Sequence, residues 1–396
     1  MKYYIYNKLQ KSRLFDIKLS VTLKNLGQSF YGVFEPIIFY KILGERVEYV
    51  LLYYGLQSLL YALLVNQGAK IMSRIGIKKS LIIGTLLLML YNIFLIYFLG
   101  CGINLDNYKN ILILGFFITA LNCSLYQTFY WPAFHTDLSL FLKEGSSGKN
   151  LGVLFFIGQC ASIVGPVIGG IILQNSNLNI LFFLQIIFLT LSVVPLFFGP
   201  DEKPETSYKF KDYIKELFNI KKIKNYLPFF AEGIKGYINS TFWGLFIYTV
   251  LESVIDVGLL TAGVSFFTAL FVVLLGKIID KRRFLKNKLL GIGVFIASFG
   301  WIIKGVSINN IFYFIADNVQ KFGDSIVQIP YQKTMYKRFK NVRSLADEYV
   351  TIREMAYHIG GGVIIILLAL IIYSTNLSYS AFIVAAFSYV IMLAIK

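Results

Sequence analysis

Gly276-Lys277-Ile278-Ile279-Asp280-Lys281, followed by Arg282, Arg283, Lys286 and Lys288, closes a long apolar run. A similar stretch, Ala69-Lys70-Ile71-Met72-Ser73-Arg74-Ile75-Gly76-Ile77-Lys78-Lys79, closes an earlier one. Each follows the second hydrophobic segment of its half. One short basic turn used twice, in equivalent places, reads as a membrane protein built from two related halves.

The rest of the chain agrees. A bilayer-spanning helix needs about 20 mostly apolar residues. Runs of that kind cover 18–42, 49–72, 79–99, 110–133, 150–173 and 178–199, then 225–250, 256–279, 287–304, 309–331, 349–373 and 378–395. Lipid offers the backbone no water, so long unbroken runs are expected as helices. The expected fold is all-α and polytopic, with twelve transmembrane helices in two pseudo-symmetric six-helix bundles. The bundles span 1–199 and 225–396, and 200–224 is the connector. Composition fits: of 396 residues 57% are hydrophobic and 15% charged, with a mean hydropathy of +0.66. A soluble domain of this length needs more polar surface. No apolar core precedes a cleavage site in residues 1–17, so no signal peptide is expected.

The net charge of +17 comes from 38 Lys and Arg against 21 Asp and Glu. Thirty of the basic residues fall in loops on one side, from the N-terminal tail through both basic turns and the connector to Lys396. Only Lys41, Arg46 and Lys109 fall on the other. By the positive-inside rule both termini are cytoplasmic, and the plasma membrane is the expected location. The basicity is topological and spread over separate segments, so no nucleic-acid partner is expected. Cys101, Cys123 and Cys160 form no disulfide framework, and His135 and His358 are too far apart for a metal signature. In the connector, Tyr208-Lys-Phe-Lys-Asp-Tyr-Ile-Lys-Glu-Leu-Phe218 reads as an amphipathic surface helix or a solvated linker.

Twelve helices, cytoplasmic termini, a six-plus-six split and a repeated Gly-x-x-x-Asp-basic turn resemble the major facilitator superfamily. The second turn matches the family's loop signature at Gly276, Asp280, Lys281 and Arg283. The first keeps Arg74, Gly76, Lys78 and Lys79 but has Ser73 in place of Asp and Ala69 in place of Gly. In the fifth helix, Gly158 and Gly165-Pro166-Val-Ile-Gly169-Gly170 look like the family's Gly-Pro-x-x-Gly-Gly motif, commonest in drug and proton antiporters. These glycines permit close helix approach, as a hinge or seal or as plain packing. Asp280 is expected to cap a helix of the first half when one gate is closed. Pro132 and Pro330, each read as ending the fourth helix of its half, extend the symmetry.

The resemblance places the first and fourth helices of each half around a central cavity. The first carries Lys24, Gln28, Tyr31 and Glu35, the last three sharing a face. The fourth carries Asn122, Tyr126 and Gln127, the seventh Glu232, Lys235, Asn239 and Trp243. The tenth carries Asp317, Lys321 and Asp324 on one stripe, and the eleventh Arg353, Glu354 and His358. Intramembrane charges usually face a cavity. The stripe is either a watery cavity wall or an internally neutralised triad, with Lys235 as a candidate partner. Glu35 is the candidate proton-coupling carboxylate. No Arg stands in the fourth helix, where many proton-coupled members carry one, and Asn122 is nearest to that place. Tyr130 and Trp131 read as interfacial anchors, and His135 as a capping or loop residue.

Nothing resembles a phosphate-binding loop, which disfavours an ATP-driven pump. No clustered nucleophile, His pair or metal site points to an enzyme. The expectation is a secondary transporter working by alternating access, without cofactor, coupled to protons, monomeric in the lipid bilayer. Export of an amphipathic or cationic compound leads, on the fifth-helix motif. Uptake of a sugar, organic acid or other metabolite stands beside it, as does a lipid flippase on the same scaffold. A transport-dead receptor would have no need of buried charge.

Overall fold

A computed structural model describes residues 2–100, 105–141, 147–175, 178–198, 201–204, 208–281, 286–341, 346–375 and 377–394. Side chains are described over a narrower set, which leaves out 276–281. Helices α1 (Lys2–Ser29) and α2 (Glu35–Ile42) make the first crossing. Then follow α3 (Val47–Ile75), α4 (Ile77–Gly100), α5 (Leu105–Phe141), α6 (Ser147–Gln174) and α7 (Leu178–Val193). The short α8 (Phe210–Leu217) lies in the connector. Helices α9 (Leu227–Tyr237) and α10 (Gly244–Leu251) form the seventh crossing, joined by a π-helical segment at Ile238–Trp243. The last are α11 (Val254–Lys281), α12 (Lys286–Val306), α13 (Asn310–Asn341), α14 (Ala346–Thr375) and α15 (Ser380–Ile391). The protein is thus an all-α polytopic membrane protein. Eight of the described helices are long and apolar enough to span a bilayer. Crossings that fall short, such as α1–α2, α9–α10 and α13, are broken or carry charge, and they hold most of the buried ion pairs described below.

Three helix ends differ from expectation. The first run is not one helix. Pro36 has no N–H to donate to Gly32, and the chain turns over Phe30–Phe34 before α2 begins at Glu35. The expected common face of Gln28, Tyr31 and Glu35 is therefore split. Pro132 and Pro330 do not end their helices, since α5 runs on to Phe141 and α13 to Asn341. Each proline removes one backbone hydrogen bond from a helix packed on its neighbours. Near Pro132 the Phe129 carbonyl accepts a 2.8 Å hydrogen bond from Ser80 Oγ.

The first six crossings meet the last six along two seams. On one, α3 packs against α14. On the other, α6 packs against α11, where Gly170 lies against the Val254 carbonyl and Gly258 against the Pro166 carbonyl. The end away from the connector is also closed by α2 against α10, where Lys41 Nζ lies 5.4 Å from the Tyr248 ring. Gly165 and Gly169 set α6 against α1, and a Cβ on either would run into Ser29 or the Phe30 carbonyl.

The first basic turn is capped from an unexpected place. Gly76 sits at φ 102°, and Asp201 of the connector lies against it. The Lys78 N–H donates to Asp201 Oδ1 at 2.9 Å, and the Ile77 N–H to the Glu202 carbonyl at 2.9 Å. The N-terminus of α4 thereby gains an acceptor and a negative charge. Ser73 only donates to the Lys70 carbonyl at 2.8 Å, while Arg74 is exposed. In the second turn Gly276, Asp280 and Lys281 lie on the last turns of α11, with side chains outside the described residues. Helix α8 is present, with Tyr213 and Leu217 buried. Lys222 and Tyr226 each reach Glu216 Oε1 at 2.8 Å, which ties its far end to the start of α9.

Candidate functional site

A cavity of about 810 Å³ opens between the two sets of helices. It runs from Glu35, Pro36 and Tyr54 towards the connector end, as far as Leu138, Leu154 and Tyr336. Helices α1, α2, α3, α5, α6, α9, α11, α13 and α14 contribute lining residues. A volume of this size holds a small solute.

At one end Glu35 opens α2. The Tyr91 hydroxyl donates to Glu35 Oε1, and the Tyr53 hydroxyl lies 3.4 Å from that of Tyr91. Among the described residues no basic side chain pairs with Glu35. A carboxylate held only by neutral hydroxyls in a membrane interior has no fixed counter-charge, and a proton is the smallest ligand that neutralises it.

Nearer the connector end lies a cluster that joins both sets of helices. Arg353 Nη2 meets Glu232 Oε2 at 3.0 Å, and Arg353 also bonds the neighbouring Glu354. Tyr331 donates to Glu232 Oε2 at 2.8 Å, and Tyr61 of α3 donates to Glu354 Oε2 at 2.8 Å. Arg353 Nη1 lies 3.2 Å from His135 Nε2, and His135 Nδ1 lies 2.7 Å from the Tyr336 hydroxyl. The same Nε2 lies 3.5 Å from Glu354 Oε1. Beside them His358 Nδ1 faces the Ser58 hydroxyl at 3.1 Å and the Tyr237 hydroxyl at 2.9 Å. One cation thus serves two carboxylates, and the contacts of Tyr61, Ser58 and His135 cross from α3 and α5 to α14. The sequence named Glu232 on the seventh helix and Arg353, Glu354 and His358 on the eleventh as intramembrane charge, with no signal that the two helices meet. His135 is inside the cavity, not a loop cap, because α5 continues past Pro132.

The residues expected around a cavity divide into two groups. Gln28, Glu35 and Gln127 line it. Tyr31, Asn122, Tyr126, Asn239 and Trp243 do not, and Tyr31 instead packs on Phe182 with ring centroids 4.8 Å apart. The charges of α13 lie behind the wall as ion pairs. Asp324 Oδ1 takes Lys235 Nζ at 2.5 Å and the Tyr389 hydroxyl at 2.7 Å. Asp317 Oδ1 takes Lys304 Nζ at 2.7 Å, and the Lys304 ammonium lies 3.9 Å from the Trp243 ring centroid and 4.1 Å from that of Trp301. Lys321 is half-buried and does not line the cavity. The stripe is thus neither an open cavity wall nor a triad neutralised within α13: its aspartates are paired from neighbouring helices, by Lys235, the expected candidate, and by Lys304 of α12, which the sequence did not single out. Of the gating candidates, Pro166 reaches the cavity, while Gly165, Gly169 and Gly170 lie at helix contacts.

Lys24 lies on the same wall as Glu35. Its ammonium donates to Gln28 Oε1 at 2.8 Å and sits 4.1 Å from the Tyr130 ring, 4.9 Å from Trp131 and 5.6 Å from Tyr126. Tyr130 is buried and Trp131 half-buried against the cavity, so neither is an interfacial anchor.

With this geometry in hand, the comparisons are specific. The sequence matches the family model described as Major Facilitator Superfamily over residues 19–346. No curated protein sequence matches the chain. Among solved structures, the human organic anion transporter MFSD10 (TETRAN) aligns with a TM-score of 0.69 at 9% identity, covering 97% of this chain and 98% of that one. The major facilitator superfamily transporter FucP in its outward conformation aligns at 0.66 and 13% identity, over 97% and 96%. A variant of the Escherichia coli fucose:proton symporter FucP aligns at 0.63 and 14%, over 99% and 98%. At these identities the likeness is one of fold.

Proposed function

This chain belongs to the major facilitator superfamily and is a secondary transporter of the membrane, and on that premise we propose that it couples movement of a small polar solute to movement of protons. The solute and the proton share one cavity, exposed to each side in turn, and Glu35 takes and releases the proton. The observation that carries this reading is Glu35 itself, a cavity-lining carboxylate hydrogen-bonded by Tyr91 and paired with no base among the described residues. Its charge changes at little structural cost, unlike those of Glu232, Glu354, Asp317 and Asp324, each tied to a cation.

A polar cargo fits the lining. Asn25, Gln28, Gln57, Gln127 and Gln159 supply amides to the cavity. A buried amide group needs partners, and a polar solute provides them. Export of an amphipathic cation is the second reading, favoured by the aromatic wall of Tyr130, Trp131 and Phe134 together with the lone carboxylate of Glu35. The basic loops support a connector end that faces the cytoplasm, and the reading takes the plasma membrane as the location. The cavity is built within one chain, which fits a monomer.

The test is proton flux. The protein is reconstituted in liposomes with an entrapped pH-sensitive dye and challenged with a panel of sugars, organic acids and amphipathic cations. A solute that crosses is expected to change internal pH, with no change in the Glu35→Gln variant. Solute movement without proton movement contradicts the reading.

A further inference from the structure

Lys24 is, among the described residues, a second cavity-lining charge without an ion-pair partner. The other strongly buried cations of the membrane interior each hold a carboxylate: Lys235 holds Asp324, Lys304 holds Asp317, and Arg353 holds Glu232 and Glu354. Lys24 is 1% exposed and among the described residues has no carboxylate at all. Its partners are the Gln28 amide and the faces of Tyr126, Tyr130 and Trp131. Aromatic faces attract an ammonium but do not neutralise it. A cation kept out of water without a counter-charge is costly, and that cost is relieved when an anion arrives.

The surroundings of Lys24 are built to receive one. It lies on the cavity wall, and Asn25, Gln127, Gln159 and Ser162 line the same cavity from α1, α5 and α6. Gln127 Oε1 is buried with no hydrogen-bond partner, an acceptor ready for a donor group on a ligand. Beside Asn25, a Cβ on Gly158 would meet only the Asn25 amide at 3.9 Å, so α6 leaves room there.

We propose that Lys24 is the anchor for a single carboxylate on the cargo, and that the transported solute is therefore a small monoanionic organic acid with hydroxyl or amide groups on its body. One lysine without a carboxylate matches one negative charge, since the cavity-lining guanidinium of Arg353 already holds Glu232 and Glu354. This rests on the proton-coupled transport proposed above and gives it an arithmetic. One carboxylate moving with one proton on Glu35 carries no net charge, so the step is driven by a pH gradient and is indifferent to membrane potential.

Binding is tested apart from coupling, on the purified full chain, with Trp131 as a reporter 4.9 Å from the Lys24 ammonium. Benzoate, lactate and gluconate are titrated beside benzamide, lactamide and glucose, and anionic lysolipid micelles form a separate arm. At least one free carboxylate is expected to change the tryptophan emission saturably, with its neutral counterpart weaker by about tenfold or more, which is about 1.4 kcal/mol. Lys24→Met is expected to lose that response and Lys24→Arg to keep part of it, each with a melting curve that certifies folding. Proton flux is measured separately, in liposomes, so failure of the coupling and failure of the anion site are separately visible. Equal binding of the neutral counterparts, an unchanged response in folded Lys24→Met, or response to the lysolipid alone overturns the proposal. So does a response to none of the carboxylates.

Discussion

Lys235 Nζ and Asp324 Oδ1 meet at 2.5 Å across α9 and α13, and the Tyr389 hydroxyl closes on the same oxygen at 2.7 Å. The pair lies just before the π-helical segment of the seventh crossing. Removing one member strands a charge in a low-dielectric interior, whereas removing both does not. Lys235→Ala or Asp324→Ala is expected to destabilise the protein by about 3–5 kcal/mol, and Lys235→Met with Asp324→Leu by much less. Denaturation in detergent measures both, and harmless single changes contradict the assignment.

Tyr61 and Glu354 join α3 to α14 through a buried 2.8 Å hydrogen bond. A hydrogen bond to a charged group contributes about 1.5–3 kcal/mol. Tyr61→Phe is expected to loosen this seam, seen as faster hydrogen exchange in 352–360 with little change elsewhere. Uniform acceleration across the chain would mean general destabilisation instead.

Gly165 and Gly158 stand on one helix with opposite surroundings. A Cβ at Gly165 collides with Ser29, and one at Gly158 meets nothing nearer than 3.9 Å. Overpacking typically costs about 1–3 kcal/mol and more where backbone is met. Gly165→Ala is expected to lower the melting temperature clearly and Gly158→Ala to leave it near that of the parent protein.

Asp201 caps α4 from the connector, through the Lys78 N–H. Losing such a cap costs about 0.5–2 kcal/mol. Asp201→Ala is expected to lie in that range and Asp201→Asn to recover most of it, by melting curves. Gly76→Ala is expected to fail more severely, because φ 102° is strained for any side chain and Asp201 fills the space.

The membrane fold was legible because burial in lipid writes itself as long apolar runs. What the sequence could not supply was which face each charge takes. Asp317 and Asp324 lie on one stripe of α13, yet each turns to a lysine on a neighbouring helix, Lys304 or Lys235. Periodicity names a face but not what lies across from it. The cluster of Glu232, Arg353 and Glu354 with His135 depends on α9, α14 and α5 meeting, which no local pattern encodes. Pro132 and Pro330 misled because a proline reads as a stop, while packing on neighbours carries the helix through. The Asp201 cap lies more than a hundred residues from the turn it serves.

The central claim is that Glu35 couples protons to cargo without itself being needed to carry cargo across. Counterflow and pH-gradient-driven uptake by Glu35→Gln, compared in the same liposomes, test it most directly. The account predicts that exchange of labelled for unlabelled solute continues while gradient-driven accumulation is lost. Accumulation that persists with an unchanged pH profile would remove Glu35 from the mechanism.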